Sequence, residues 1–337
     1  MPKKNILNPK SVLITGISGS GGSYLAEYIL SLKKGIKIYG LSRWHSTSSK
    51  KNIDHFKNKI KVFECDLNDF SSVQTVLKKC KPDIVFHMAS YANVKASFIT
   101  PSTVLQNNIN GTLTLFESIR QIKQDPIIVM CSTSEVYGQV EKHEVPIKET
   151  NSIRPSSPYS ISKVAQDLLS QNYFKSYGLK IIITRMFSYL NPRRDDLFAS
   201  SFAKQVAWIE MGLQKKLFHG NLESIRTIID VRDAMRCYWL AAIYCKFGEV
   251  YNIGGTNKIS VGEFLNKLIK MSSSKINTKL DKKLLRPVDV TLQIPDTSKF
   301  NRVTNFKSIY SFEESINNLL NFWRVEAKRY KINITNE

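Results

Sequence analysis

The first half of this chain exchanges short β-branched runs with stretches of helical period, and that alternation limits its folds more than any single motif. SVLITG leads into a helix through SYLAEYILSLKK. IKIYGLSR and IKVFECD follow, and a helix near SSVQTVLKKC precedes DIVFHMA. A helix near TLTLFESIRQ then precedes PIIVMCSTS, and a helix from SISKVAQDLLSQNYF precedes KIIITRMF. Strands apolar along their whole length, not at alternate positions, bury both faces. Repeated units of this kind predict an α/β fold with a doubly wound parallel sheet covered by helices on both sides. After about residue 190 the pattern changes to a polar loop (NPRRDD), an amphipathic helix through FAKQVAWIEMGLQ, a return strand EVYNIGG, and helices at VGEFLNKLIKM and FEESINNLLNFWR. We therefore expect one unit over residues 1–190, with a return strand near 249–255, and a smaller interleaved unit made mainly of 191–337. With 337 residues, 42% of them hydrophobic, the chain has material for both cores.

Several classes of function are disfavoured. The longest apolar runs, such as IIVM and IIIT, are strand-length, far short of the roughly 18 residues of a membrane span. The opening MPKKNILNPKS lacks the apolar region of a secretory signal. The expectation is a cytoplasmic protein with no membrane partner. Five cysteines form no CxxC pair and five histidines are scattered, so neither disulfides nor a metal site is expected. The net charge of +21 admits nucleic acid. However, the lysine pairs at 33–34, 50–51, 78–79, 215–216 and 282–283 are spread along the chain without an arginine-rich tract. No nucleic-acid partner is expected, and an anionic small molecule is.

Gly16, Gly19 and Gly22 stand at three-residue spacing where SVLIT passes into the first helix, with Ser18 between them. Such a turn lets the backbone approach a pyrophosphate, which the N–H groups of the helix start then hold. A plain strand-helix turn reads the same way. The flanking strand and helix favour a Rossmann-type dinucleotide unit. The second strand ends in Ser42-Arg43, where an NAD site usually has an acid. Arg43 suits a 2′-phosphate, so NADP is the expected cofactor, with NAD as the alternative. Asp66 and Leu67 close the third strand and are candidates for the adenine edge, although Asp66 also reads as a helix cap.

Tyr159 and Lys163, in PYSISK, lie four apart and share one helical face. There the ammonium is expected to lower the phenol's pKa toward neutrality and make it a base. With GISGSGG, DL at 66–67, HMA at 87–89, NING before Thr112 and STS at 132–134, this pair makes the chain resemble the extended short-chain dehydrogenase/reductases acting on nucleotide-linked sugars. The resemblance, which adds Ala89 to the cofactor contacts, spans nearly the whole chain. Within that family the sequence is most similar to the GDP-mannose 4,6-dehydratases and their sister reductases, through SRWHSTSSKKNIDHF, TSEVYG, SPYSISK, NPRR and RPVDV.

For the dehydratases, the resemblance implies that Tyr159 takes the proton of the sugar 4-hydroxyl as hydride passes from carbon 4 to NADP. Glu135 then removes the proton on carbon 5, Ser134 or Thr133 helps the 6-hydroxyl leave or holds the 4-oxygen, and hydride returns to carbon 6. Glu135 also reads as a solvated loop carboxylate, and Ser134 stands where other dehydratases carry an aspartate. Arg193, Arg194, Arg226 and Arg286, with Ser97 and Ser188, are the implied substrate contacts, although Ser188 replaces the family's usual asparagine. Tyr91 and Lys95, beside the expected sugar pocket, keep a GDP-manno-heptose open as substrate. The stretch from GEVYNIGG through RPVDVTLQIPDTSKF keeps a GDP-4-keto-6-deoxy-sugar reductase or epimerase open as the alternative. A homodimer through the helices near TLTLFESIRQ and SISKVAQDLLSQ, or a homotetramer through the basic loop 43–55, is the implied assembly.

Overall fold

The structure, a computed structural model, describes residues 4–6, 8–44, 51–285 and 288–335. Its strands are β1 (Ser11–Thr15), β2 (Lys37–Ser42), β3 (Lys61–Glu64), β4 (Ile84–His87), β5 (Ile127–Thr133), β6 (Ile181–Met186), β7 (Tyr189–Leu190), β8 (Leu217–His219), β9 (Ile225–Asp230), β10 (Val250–Ile253), β11 (Asn257–Ser260), β12 (Thr278–Leu280) and β13 (Leu292–Gln293). The helices are α1 (Ser20–Ser31), α2 (Phe70–Cys80), α3 (Val94–Ile99), α4 (Pro101–Gln121), α5 (Pro158–Tyr177), α6 (Phe198–Glu210), α7 (Val231–Tyr244), α8 (Val261–Lys270), α9 (Ser298–Thr304) and α10 (Phe312–Thr335).

Seven strands form one sheet in the order β10-β6-β5-β4-β1-β2-β3, and every pairing is parallel. This is the doubly wound Rossmann-type sheet expected from the sequence. Every residue of β4 and β6 is buried, and their leading stretches, Ile84–Phe86 and Ile181–Ile183, are accordingly apolar without alternation. Alternate residues serve opposite faces. Val12, Ile14 and Phe86 pack with Leu25 and Ile29 of α1, Met235 and Trp239 of α7, and Phe300 of α9. Leu13, Val85 and Ile128 pack with Val73 and Leu77 of α2, Leu115 and Phe116 of α4, and Tyr173 of α5.

A separate core gathers Phe202 of α6, Phe264 and Leu268 of α8, Leu319 of α10 and Ile228 of β9. The return strand read from EVYNIGG is β10, which pairs with β6. Residues of α7 and α9 also return to the large sheet, so the second half is more deeply interleaved than expected. An amphipathic pattern marks a buried stripe without saying which layer covers it. Among the described residues no helix is long and apolar enough to cross a membrane.

Candidate active site

Strand order reverses between β1 and β4, and ligands of open α/β sheets bind at the carboxyl ends beside such a reversal. A cavity of about 520 Å³ opens there, bounded by the glycine turn, the end of β5, the start of α5 and residues of β9 and β13.

The glycine turn is tight enough that side chains are excluded. Gly16 has φ +69°, and a Cβ on Gly22 would lie 2.4 Å from the Gly16 carbonyl oxygen and 2.8 Å from Ile17 Cα. The N–H of Gly19 donates to the Gly16 carbonyl at 3.0 Å, and α1 begins immediately after Gly19 without a side-chain cap. The free N–H groups of this helix start face a cavity that Gly16, Ser18, Gly19 and Gly22 all line. A cradle that a Cβ would fill, ahead of an uncapped helix, fits the diphosphate of a dinucleotide.

Arg43 and Leu67 also line the cavity, as does Asp66. The Arg43 guanidinium donates from Nη1 to Asn107 Oδ1 at 3.2 Å. Asp66 Oδ1 accepts from the Asn68 backbone N–H at 2.9 Å, but the cap of α2 is Asp69, which accepts the Ser71 and Ser72 N–H groups, so Asp66 is not the helix cap and stands in the cavity wall. The backbone N–H of Ala89, another lining residue, donates to Thr15 Oγ1 at 3.0 Å. Thr15 in turn bonds His87 Nδ1 at 3.0 Å, and His87 Nε2 meets Thr112 Oγ1 at 2.9 Å. Burial, and secondarily the Lys163 charge, push the pKa of His87 down to about 3, so this imidazole is neutral and structural.

The end of β5 and the start of α5 carry the reactive side chains. Thr133 Oγ1 accepts the backbone N–H of Glu135 at 3.3 Å and so caps the short 3₁₀ turn Ser134–Tyr137, which turns Glu135 toward the cavity. Helix α5 starts with a capping box, in which the Ser160 N–H donates to Ser157 Oγ at 3.1 Å and the Ser157 N–H donates to Ser160 Oγ at 2.9 Å. Pro158 follows at the first helical position. That start fixes Tyr159 and Lys163 one turn apart on the face toward β5. Thr133, Ser134, Glu135, Tyr159 and Lys163 all line the cavity.

The electrostatics differ from the sequence expectation at one point. Lys163 Nζ donates to the Cys131 carbonyl at 2.9 Å, and burial pushes its pKa down to about 8, with Cys131 and Asp167 opposing the fall. The ammonium of Lys163 thus spends a hydrogen bond on the end of β5. Burial raises the phenol of Tyr159 above its ordinary value, and the Arg194 charge and the Thr133 side chain oppose the rise. The largest opposing charge comes from Arg194, in the loop after β7.

The six substrate candidates divide. Arg194, Arg226 and Ser188 line the cavity. Arg194 forms a two-bond pair with Asp196, at 2.8 and 2.6 Å, and donates to the Ala92 carbonyl at 3.1 Å. Arg226, nearly buried, donates to the carbonyls of Ile225 and Val290. Arg193 is turned away: it bonds Ser23 Oγ at 2.7 Å and Glu27 Oε1 at 2.6 Å while stacking on Tyr24, so it ties its loop to α1 and does not line the cavity. Ser97 is fully buried and donates to the Val94 carbonyl at 2.6 Å. Tyr91 and Lys95 do not line the cavity, whereas their neighbours Ala92 and Val94 do. Arg286 lies outside the described residues, as does part of the basic loop 43–55.

Three features of the site escaped the sequence reading. Tyr189 and Tyr238 stand in the cavity wall near Arg194 and Cys131. Asp167, one further turn along α5 from Lys163, pairs at 2.8 Å with Arg185 of β6, both fully buried. Its spacing of four from Lys163 was a legible signal. Gln293 of β13 is 3% exposed, lines the cavity and donates from Nε2 to Glu135 Oε1 at 3.3 Å.

A glycine cradle, a Tyr-Lys pair and a hydroxyl-rich strand end on one parallel sheet define a site of the short-chain dehydrogenase/reductase type. In fold, the chain is similar to a UDP-glucose 4-epimerase of Thermus thermophilus solved in complex with NAD, with TM-score 0.81 and 26% identity over 93% of this chain and 99% of that one. It is 34% identical to a GDP-mannose 4,6-dehydratase of Vibrio cholerae serotype O1, over 69% of this chain and 64% of that relative's length. To GDP-mannose 4,6 dehydratase 1 of Arabidopsis thaliana it is 30% identical, over 97% of this chain and 94% of that one. The sequence profile of the family GDP-mannose 4,6 dehydratase matches residues 13–319. The chain belongs to that family.

Proposed function

We propose that this protein is a GDP-sugar 4,6-dehydratase that works with a tightly held NADP. Glu135 in the wall of the same cavity as Tyr159 and Lys163 is the observation that carries the reading. A simple dehydrogenase has no use for a second base on that side of the sugar. When bound, the nicotinamide supplies hydride chemistry, accepting hydride from carbon 4 and returning it to carbon 6. Gly16, Ser18, Gly19 and Gly22 would hold the cofactor's diphosphate, Asp66, Leu67 and Ala89 would contact its other parts, and Arg43 would pair with a 2′-phosphate. Ser42, standing where an acid would reject that phosphate, favours NADP over NAD.

Tyr159, whose phenolate Arg194 and Thr133 favour against burial and which the positive ring of an oxidised nicotinamide would favour further, takes the proton of the 4-hydroxyl, and Thr133 holds the 4-oxygen. The resulting ketone acidifies carbon 5, where Glu135 removes the proton and the freed electron pair forms the C5–C6 double bond as the 6-hydroxyl departs. Ser134 delivers the proton to the leaving hydroxide. Two protons leave the sugar and two return, one on the departing hydroxide and one at carbon 5, so the sum is loss of one water with no net redox change. Lys163 fixes the end of β5 through the Cys131 carbonyl. Arg194, Arg226 and Ser188 are assigned to the substrate. Arg193 and Ser97 are withdrawn from that role because their polar atoms are spent on α1 and α3.

The place of Tyr91 and Lys95 outside the cavity lining favours GDP-mannose as the first substrate to test, with the heptose beside it. Exposed Leu113 of α4, with exposed Ile161 and Leu168 seven apart on α5, supports a homodimer through these helices, which light scattering of the purified protein checks.

The test of the activity is incubation of the purified protein, without added cofactor, with GDP-mannose and in parallel with GDP-manno-heptose, the product being followed by mass. Loss of one water is expected, and Glu135→Gln should retain nucleotide binding yet lose turnover well beyond the roughly 100-fold of a modest acid-base contribution. Turnover only with a 4-keto-6-deoxy sugar and stoichiometric NADPH identifies a reductase instead.

A further inference from the structure

We infer that Gln293 is a positioning residue for Glu135, and that the strand carrying it is the device by which the second half of the chain aims the carbon-5 base. The inference rests on the assignment of Glu135 to that base.

The strand β13 is only two residues long, yet it is fastened along both edges. On one side it pairs in parallel with β9, Leu292 opposite Ile225 and Gln293 opposite Arg226, and the Ile225 N–H donates to the Thr291 carbonyl at 2.7 Å. The Arg226 guanidinium closes over the same segment by donating to the Val290 carbonyl. On the other side the segment is tied to the chain just beyond the catalytic turn. Gln139 Oε1 accepts the Thr291 N–H at 2.7 Å, and Gln139 Nε2 donates to Thr291 Oγ1 at 3.0 Å. The Ile147 N–H donates to the Ile294 carbonyl, and the Asp296 N–H donates to the Ile147 carbonyl, each at 2.7 Å.

Between these two seams Gln293 is buried, so its side chain has little freedom. Its Nε2 is directed at Glu135 Oε1, 3.3 Å away. Among the described residues Glu135 Oε2 has no hydrogen-bond partner, so the two oxygens are distinguished: one is held by the amide, the other is left for the substrate. The 3₁₀ turn fixes only the backbone of Glu135 through Thr133. The carboxylate has three side-chain torsions of its own, and a base must be oriented to within hydrogen-bond reach of the proton that it removes. Gln293 supplies that orientation.

The experiment uses the full-length protein with GDP-mannose and with the same sugar deuterated at carbon 5 or at carbon 4. Gln293→Met keeps the volume and removes the donor, and Gln293→Asn keeps the amide but shortens its reach. Both should lower kcat about 10-fold, the lower end of what a hydrogen bond to a charged group contributes. KM should be unchanged. The isotope effect on kcat from carbon-5 deuterium should grow while that from carbon-4 deuterium does not, a site-specific change that a general loss of stability does not produce. Titration calorimetry should give wild-type affinity for GDP in both variants. Wild-type kcat and isotope effects in both variants overturn the inference and leave the dehydratase reading intact. If the wild-type protein itself releases no water from either substrate, the assignment of Glu135 fails and this inference fails with it.

Discussion

Lys163→Met should change the pH dependence of stability in a way that can be calculated from the burial of one ammonium. Lys163 is 3% exposed and its pKa is pushed down to about 8 from an ordinary 10.5, first by desolvation. The folded protein therefore binds fewer protons at this site than the unfolded chain between those two values, and stability rises with pH across that window. Below about pH 8 the cost of keeping the lysine charged is fully present. At about 1.4 kcal/mol per unit it amounts to roughly 3 kcal/mol. Methionine carries no such cost at any pH. It does leave the Cys131 carbonyl without the donor 2.9 Å away, a penalty of about 1–3 kcal/mol that does not depend on pH. The difference in unfolding free energy, variant minus wild type, should then fall by about 2 kcal/mol between about pH 7 and pH 9.5. Urea unfolding of the two proteins side by side at several pH values measures it, and the titrations common to both cancel in the difference. A flat difference would mean that the ammonium is not desolvated in the folded state, and the account of Lys163 given above would be wrong.

Gly22→Ala places a Cβ 2.4 Å from one backbone atom and 2.8 Å from another. The turn must therefore open, at a cost of about 1–3 kcal/mol in stability, and dinucleotide binding by calorimetry should be lost while circular dichroism remains that of the folded protein. Retained dinucleotide affinity would show that the cradle is not the binding site. Asp167→Asn leaves the Arg185 guanidinium buried without its partner and should destabilise by about 3–5 kcal/mol in chemical denaturation; a loss under about 1 kcal/mol would show that water reaches the pair.

The large sheet and its helices were legible because a parallel strand covered on both faces is apolar at consecutive positions, as Ile84–Phe86 of β4 and Ile181–Ile183 of β6 are. The glycine turn, Glu135 and the Tyr159-Lys163 pair were legible because their spacing along the chain is also their spacing in space. Residues brought in by tertiary pairing were not. Gln293 reaches Glu135 across 158 positions of sequence, and nothing local distinguishes it from any other glutamine in a polar segment. The arginines failed in a different way. Arg193 and Arg194 are adjacent in NPRR, yet one turns to Glu27 and the other to the cavity, a divergence set by loop geometry that no residue type announces. The phenol's surroundings were legible only in part: a helical spacing of four brings Lys163 near Tyr159, whereas the burial of the ring and the charge of Arg194 come from tertiary packing.

The placement of β10 beside β6 has a consequence for synthesis. Residues 250–253 are needed to cover the edge of a strand that is complete by residue 186. A nascent chain that has emerged only as far as residue 190 presents an open strand edge that begins with three isoleucines, the kind of surface that pairs with other chains. It also lacks α7, whose Met235 and Trp239 cover one face of the sheet. The catalytic residues of the first half are therefore all translated before the layer that shelters them exists, so truncated products ending between about residues 190 and 250 should be the species that aggregate or recruit chaperones during expression.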